Sequence, residues 1–159
     1  MLECKNPESC MKEHEQWMKN KENNIHLGED ILEFIQQEIE KAGSLLNTGL
    51  IAFTKHTEER MVDRCVSIYN LETIFKYGWV FDYYKKPSQK KRKTFDQKVS
   101  IVGSFKDREA LYRTFHLILK RDGDADKWSL ITLYEPYTES YQWDSSFQNR
   151  ICFCDKKNM

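Results

Sequence analysis

His56, Arg60 and Arg64 recur at intervals of four residues. On a helix this spacing stacks an imidazole and two guanidinium groups along one face, drifting by about 40° per pair. Such a ridge suits an anionic reaction centre. Arginine keeps its charge throughout the physiological range, and its planar fork matches phosphate oxygens in pairs. Histidine, with an ordinary pKa near 6.5, exchanges a proton at neutral pH. Two cationic neighbours favour its neutral form, which is the form a general base needs. The same residues also suit a solvated helix face on which the arginines pair with Glu58, Glu59 or Asp63.

A second candidate set lies later in the chain. The segments RTFHLILKR and KWSLITLYE read as strands, and Asp122-Gly123-Asp124 between them is hairpin-loop chemistry. Paired across a loop centred on Gly123 and Asp124, they place His116 near Thr132, with Thr114 and Tyr134 on the same face. Phe115, Leu117 and Leu119 then face the core with Ile131 and Leu133. A face carrying His116, Thr132 and Tyr134 suits a phosphate or a base edge, and a one-residue slip would disperse it. The plainer alternative makes His116 a half-buried strand residue bonded to a neighbour.

The strongest local charge is the run KKPSQKKRK, in which Lys85, Lys86, Lys90, Lys91, Arg92 and Lys93 supply six cations in nine positions. With Tyr83 and Tyr84 beside it, the run suits single-stranded RNA, through phosphate neutralisation and base stacking. A solvated basic loop is the alternative. Cys4, Cys10 and His14, and separately Cys152 and Cys154, match no common zinc spacing. Asp122, Asp124 and Asp126 lack the glutamate that would complete a calcium loop. There is no Gly-rich phosphate loop and no nucleophile elbow, so neither metal nor cofactor is expected.

The elements that must position these residues are legible. Residues 1–26 are polar, without a sustained period, and read as a loosely ordered arm or frayed helix. From Glu29 to Leu46, Ile31, Leu32, Ile35, Ile39, Ala42 and Leu46 recur at helical spacing. LIAFT is a short strand-like run that leads into the helical KHTEERMVDRC. Ser67 is a plausible N-cap for a further helix ending at Gly78. WVFDYY and KVSIVG add strands, and FQNRICFC near the end offers one more. Helices followed by an antiparallel sheet make an α+β fold, with two to three N-terminal helices packed on a small sheet. The chain then divides into an arm over 1–26, one domain over 27–137 and an extension over 138–159.

Lys plus Arg (25) equals Asp plus Glu (25), so bulk charge neither indicates nor excludes a nucleic-acid partner. No apolar run approaches the roughly 18 residues of a membrane helix, and the start lacks the apolar stretch of a signal peptide. Five cysteines form no regular framework, so reduced thiols and a cytoplasmic location are the default.

The run FTKHTEERMVDRCVSIYNLETIFKYG fits the pattern H-x-x-x-R-M-x-x-R-x-[IV]-S. It resembles the signature of small RelE-like toxin domains, in the barnase–EndoU–colicin–RelE group of metal-independent ribonucleases. The run Leu130-Ile131-Thr132-Leu133-Tyr134 is similar to that family's closing strand. The resemblance spans roughly residues 50–135. It implies a short helix carrying the His-Arg-Arg ridge, then a second helix and an antiparallel sheet. It also implies cleavage of RNA by 2′-hydroxyl attack on the adjacent phosphate, and an antitoxin or inhibitory protein as partner. On that reading His56 is the base, Arg60 and Arg64 hold the phosphate charge, Thr132 donates a hydrogen bond, and His116 or Tyr134 assists the leaving oxygen. The chain departs from the pattern at Cys65, where glycine is usual, and in the basic loop and the final 24 residues. Two further readings stand beside the enzyme. One is a non-catalytic RNA- or protein-binding module of the same fold, and the other an interaction protein docking through its amphipathic helix.

Overall fold

The computed structural model describes residues 4–154. Residues 1–3 of the expected arm and 155–159 of the expected extension lie outside the described residues. Five strands form one sheet in the order β1-β5-β4-β3-β2. They are β1 (Ile51–Phe53), β2 (Trp79–Pro87), β3 (Phe95–Lys106), β4 (Tyr112–Arg121) and β5 (Trp128–Tyr134). Strands β2 to β5 pair antiparallel, but β1 runs parallel to β5, so the sheet is mixed rather than wholly antiparallel. The reason is the crossover. From β1 the chain passes through α3 (Lys55–Asp63) and α4 (Ile68–Tyr77) to β2 at the opposite edge.

The first helix departs most from expectation. Helix α1 runs unbroken from Pro7 to Ala42, so residues 7–26 of the expected loose arm or frayed helix form one regular helix with the segment that follows. Asn6 caps it by accepting from the Ser9 N–H at 3.3 Å, and Pro7 pre-sets the first turn. It stops at Gly43, whose backbone is left-handed at φ 85°. Most of its apolar stripe is covered, because Leu32, Ile35 and Ile39 belong to the main core. Leu46 of the expected stripe lies beyond the helix and is exposed, so α1 presents no continuous docking stripe of the kind the interaction reading required. The short helix α2 (Leu45–Thr48) follows. Helix α4 starts with a capping box between Ser67 and Asn70.

Alternation along the strands sends side chains to two separate clusters. Val99, Ile101, Phe115, Leu117, Leu119, Leu130 and Leu133 meet the helices in the main core. Phe81 and Val102 point to the other face, where Trp17 and Trp143 cover them. Helix α1 thus lies along the β2 edge and contributes to both faces. Gly28 sits where it meets β2: a Cβ there would lie 2.9 Å from Val80 Cγ1 and 3.1 Å from Tyr83 Cβ. Alanine at this position is the better helix former by about 1 kcal/mol, while overpacking a tight contact costs about 1–3 kcal/mol. Gly28→Ala is therefore expected to lower folding stability by about 1 kcal/mol, the net of these two terms. Urea unfolding checks it, and a stabilised variant would contradict the close approach.

The expected last strand is absent among the described residues. After the 3-10 helix Pro136–Gln142, a single bridge joins Trp143 to Arg150. Asp144 organises the intervening turn, its carboxylate accepting from the backbone N–H groups of Ser146, Gln148 and Asn149.

Candidate functional site

Helix α3 is anchored from its buried side. Thr54 caps it by accepting from the Thr57 N–H at 3.1 Å, and the buried Thr57 hydroxyl donates to the Leu130 carbonyl of β5 at 2.6 Å. This turns His56 outward into solvent, with Arg60 and Arg64 half-buried beside it. Arg60 Nε donates to His56 Nε2 at 3.2 Å. An accepting Nε2 carries no proton, so the contact selects a neutral imidazole with its hydrogen on Nδ1. Among the described residues neither arginine forms a salt bridge, so the expected alternative pairing with Glu58, Glu59 or Asp63 is not made. Arg64 lies past the last helical residue, as the C-cap; its backbone N–H donates to the Arg60 carbonyl at 2.9 Å, and among the described residues no side-chain hydrogen bond joins it to His56 or Arg60.

The second set is on the opposite face of the sheet and is covered. His116 pairs across the strands with Tyr134, and Thr132 pairs with Ile118. The register is thus two residues from the expected one, with a bulge between Ile118 and Leu119. An even slip keeps His116, Thr132 and Tyr134 on one face. Leu130 and Leu133 reach the core, whereas Ile131 stays half-buried. His116 is fully buried. Its Nε2–H donates to the Phe147 carbonyl at 2.7 Å, which leaves Nδ1 to accept from the Tyr134 hydroxyl at 2.9 Å. Phe81 lies against the ring and Trp143 meets it edge-on at 4.5 Å. Burial, outweighing the Phe147 contact, pulls the His116 pKa down to about 4, so the ring is neutral at physiological pH. Burial also pushes the Tyr134 hydroxyl well above its ordinary range. The open His-Thr-Tyr face expected for substrate is therefore closed over His116 by the C-terminal extension, while Thr132 and Tyr134 stay half-buried. No hydrogen bond or ring contact among the described residues joins His116 or Tyr134 to the α3 ridge.

The basic run splits by position. Lys85 and Lys86 end β2, while Lys90, Lys91, Arg92 and Lys93 occupy the hairpin tip before β3. Lys91 pairs with Asp124 at 2.6 Å and Lys90 with Asp122 at 3.9 Å, so the aspartates of the neighbouring hairpin offset part of the charge. Lys85 caps the Phe95 ring. A shallow groove beside this run is lined by Tyr84, Lys85, Lys86, Lys98 and Lys120.

An open groove of about 690 Å³ lies between the α3–α4 turn and the β3–β4 turn, lined by Met61, Cys65, Asn70, Lys106, Arg108 and Arg113 among others. Neither His56 nor Arg60 lines it. No protein-family model, curated protein or solved structure matches the chain.

Two groups escaped the sequence reading. Asp82 is buried, accepts from the Tyr83 N–H at 3.0 Å and from the Trp17 indole, and its pKa rises to about 6, chiefly from burial. Four sulfurs, those of Cys4, Cys10, Cys152 and Cys154, lie within 4.8 Å of one another. The sequence reading had kept these as separate pairs, and Cys10 with His14. Instead, His14 Nδ1 donates to the Arg150 carbonyl at 2.6 Å. The available signal was two close cysteine pairs at opposite ends of the chain.

Proposed function

We propose that the chain is a metal-independent endoribonuclease of the RelE-like type, with the His56–Arg60 pair at its reaction centre. The observation that carries this reading is the Arg60 Nε to His56 Nε2 contact, which sets an exposed neutral imidazole beside a guanidinium that forms no salt bridge among the described residues, both within reach of one phosphate. A bound phosphate draws the guanidinium onto its oxygens and frees Nε2. His56 then takes the 2′-hydroxyl proton as that oxygen attacks the adjacent phosphorus. Arg60, with Arg64 at the helix end, stabilises charge on the phosphorane oxygens. The P–O5′ bond breaks, water protonates the departing oxygen, and a 2′,3′-cyclic phosphate remains. Because His116 is fully buried and the half-buried Tyr134 is hydrogen-bonded to it, they support the scaffold rather than the leaving group, and Thr132 lies on their face of the sheet.

Two further features support the reading. The order of helix, helix and sheet agrees with the resemblance. Cys65, standing where glycine is usual, has a left-handed backbone at φ 55°, a conformation that glycine adopts without steric cost. In this role the protein works in the cytoplasm, and a protein antitoxin masking the α3 ridge is its natural partner.

The second reading is a non-catalytic module that binds RNA through Lys86, Lys98 and Lys120 around Tyr84. It is favoured by one observation: His56 and Arg60 line neither of the two grooves described above, whereas Tyr84 and its neighbouring lysines line one of them. Labelled RNA in magnesium-free buffer separates the two. Cleavage leaving 2′,3′-cyclic ends, reduced about 10²–10⁴-fold by His56→Ala, supports catalysis. Intact RNA with binding that weakens steeply with salt supports the module.

A further inference from the structure

The two ends of the described chain meet at their sulfurs. Cys4 and Cys10 flank the start of α1, while Cys152 and Cys154 lie in the extension. Cys154 Sγ is 3.9 Å from Cys4 Sγ and 3.6 Å from Cys10 Sγ, and all four sulfurs fall within 4.8 Å. Bonded disulfide sulfurs are about 2.05 Å apart, so these are four free thiols gathered at one point. A tetrahedral zinc ion with Zn–S bonds of about 2.3 Å requires S···S edges of about 3.8 Å. The observed separations are close to that figure. An iron–sulfur cluster needs thiolates spread wider, because several irons and sulfides stand between them.

The surroundings suit thiolates. The Phe153 N–H donates to Cys10 Sγ at 3.3 Å. Backbone N–H groups of Lys5 and Asn6 reach Cys154, and that of Cys154 reaches Cys152. Such N–H to sulfur bonds orient ligands and spread the negative charge that four thiolates bring to one ion. Cys10 and Cys152 are buried and the other two partly so, which closes the set against a substrate position.

We propose that Cys4, Cys10, Cys152 and Cys154 form a structural zinc site that clamps the start of α1 to the C-terminal extension. Binding releases the thiol protons to solvent and involves no redox step. The clamp has a clear mechanical use. The extension holds Trp143, Phe147 and Phe153 against the outer face of the sheet and supplies the carbonyl bonded to His116, yet it contains little regular structure. Fixing its end to α1 removes the freedom through which this cover would lift. Four thiolates leave no open position, so the role is structural rather than catalytic.

The test uses the full chain without a histidine tag, purified under reducing conditions. Elemental analysis is expected to find about one zinc per chain. Cobalt added to the metal-free protein is expected to give the intense visible bands of a tetrahedral tetrathiolate, and zinc to abolish them. Cys65→Ser, distant from the cluster in sequence and exposed, should behave like the wild type. Cys154→Ser should lose both the metal and the bands. Removing zinc from the wild type should lower its melting temperature. A wild-type chain with four reactive thiols that takes up neither ion overturns the proposal. So does a pair of disulfides surviving reduction, or stoichiometric iron in place of zinc.

Discussion

Trp143→Ala is expected to destabilise the protein by about 3–5 kcal/mol, the range for truncating a buried aromatic. For a chain of this length that is a fall in melting temperature of roughly 10 °C. Trp143 is 8% exposed and packs edge-on against both Phe81 and His116. Deleting it opens a cavity directly over a histidine that burial keeps neutral. A second consequence follows from the same contact: water reaching the ring should raise the His116 pKa from about 4 toward the usual 6.5. Trp143→Phe provides the control. The indole Nε1 has no hydrogen-bond partner among the described residues, so phenylalanine removes an unsatisfied donor and keeps much of the packing. Its cost should stay below about 1.5 kcal/mol. Thermal unfolding with an NMR titration of His116 measures both effects. An alanine variant as stable as the wild type, with His116 unmoved, would show that the extension does not seal this face.

This cover explains what could and could not be read from the sequence. The strands from Trp79 onward, the α4 helix with its Ser67 cap, and the His56–Arg60 ridge were legible because each rests on local periodicity or cap chemistry. The first half of α1 was not. Between Pro7 and Gly28 it buries only Cys10, Trp17 and Gly28 itself, so one large side chain does the anchoring and no apolar stripe appears. Trp17 finds its partners, Phe81, Val102 and Trp143, far along the chain. The β4–β5 register was misplaced because the bulge between Ile118 and Leu119 has no sequence mark. Beyond the bulge the slip was even, so His116, Thr132 and Tyr134 kept their shared face, whereas on the loop side it was a single residue, which puts Leu130 rather than Ile131 in the core. What the sequence hid altogether was that the sheet has no free face over His116. A segment with few signals of its own covers it, and four cysteines from the two ends meet only after folding.

The same covered face predicts an unusual dependence of stability on pH, because two buried groups oppose each other there. His116 has a folded-state pKa of about 4, below its ordinary 6.5. Between those values the unfolded chain binds a proton that the folded chain refuses, so stability falls as pH falls from 6.5 to 4. Asp82 has a folded-state pKa of about 6, above its ordinary 3.8. There the folded chain holds the proton that the unfolded chain releases, so stability falls as pH rises from 3.8 to 6. Each difference corresponds to about 3 kcal/mol at 1.36 kcal/mol per pKa unit. Across pH 4–6 the two slopes nearly cancel, and the wild type should be almost flat with respect to this pair. Asp82→Asn keeps an acceptor for the Tyr83 N–H and removes one slope. The variant should be more stable than the wild type at pH 7 by up to about 3 kcal/mol. As the remaining histidine titrates, that advantage should shrink to nothing near pH 4. His116→Gln should do the reverse, leaving a protein that loses stability as pH rises from 4 to 6. Urea unfolding of the three proteins at pH 4, 5, 6 and 7 measures the slopes. Parallel curves for the wild type and Asp82→Asn would mean that Asp82 titrates normally and is not held in the covered face.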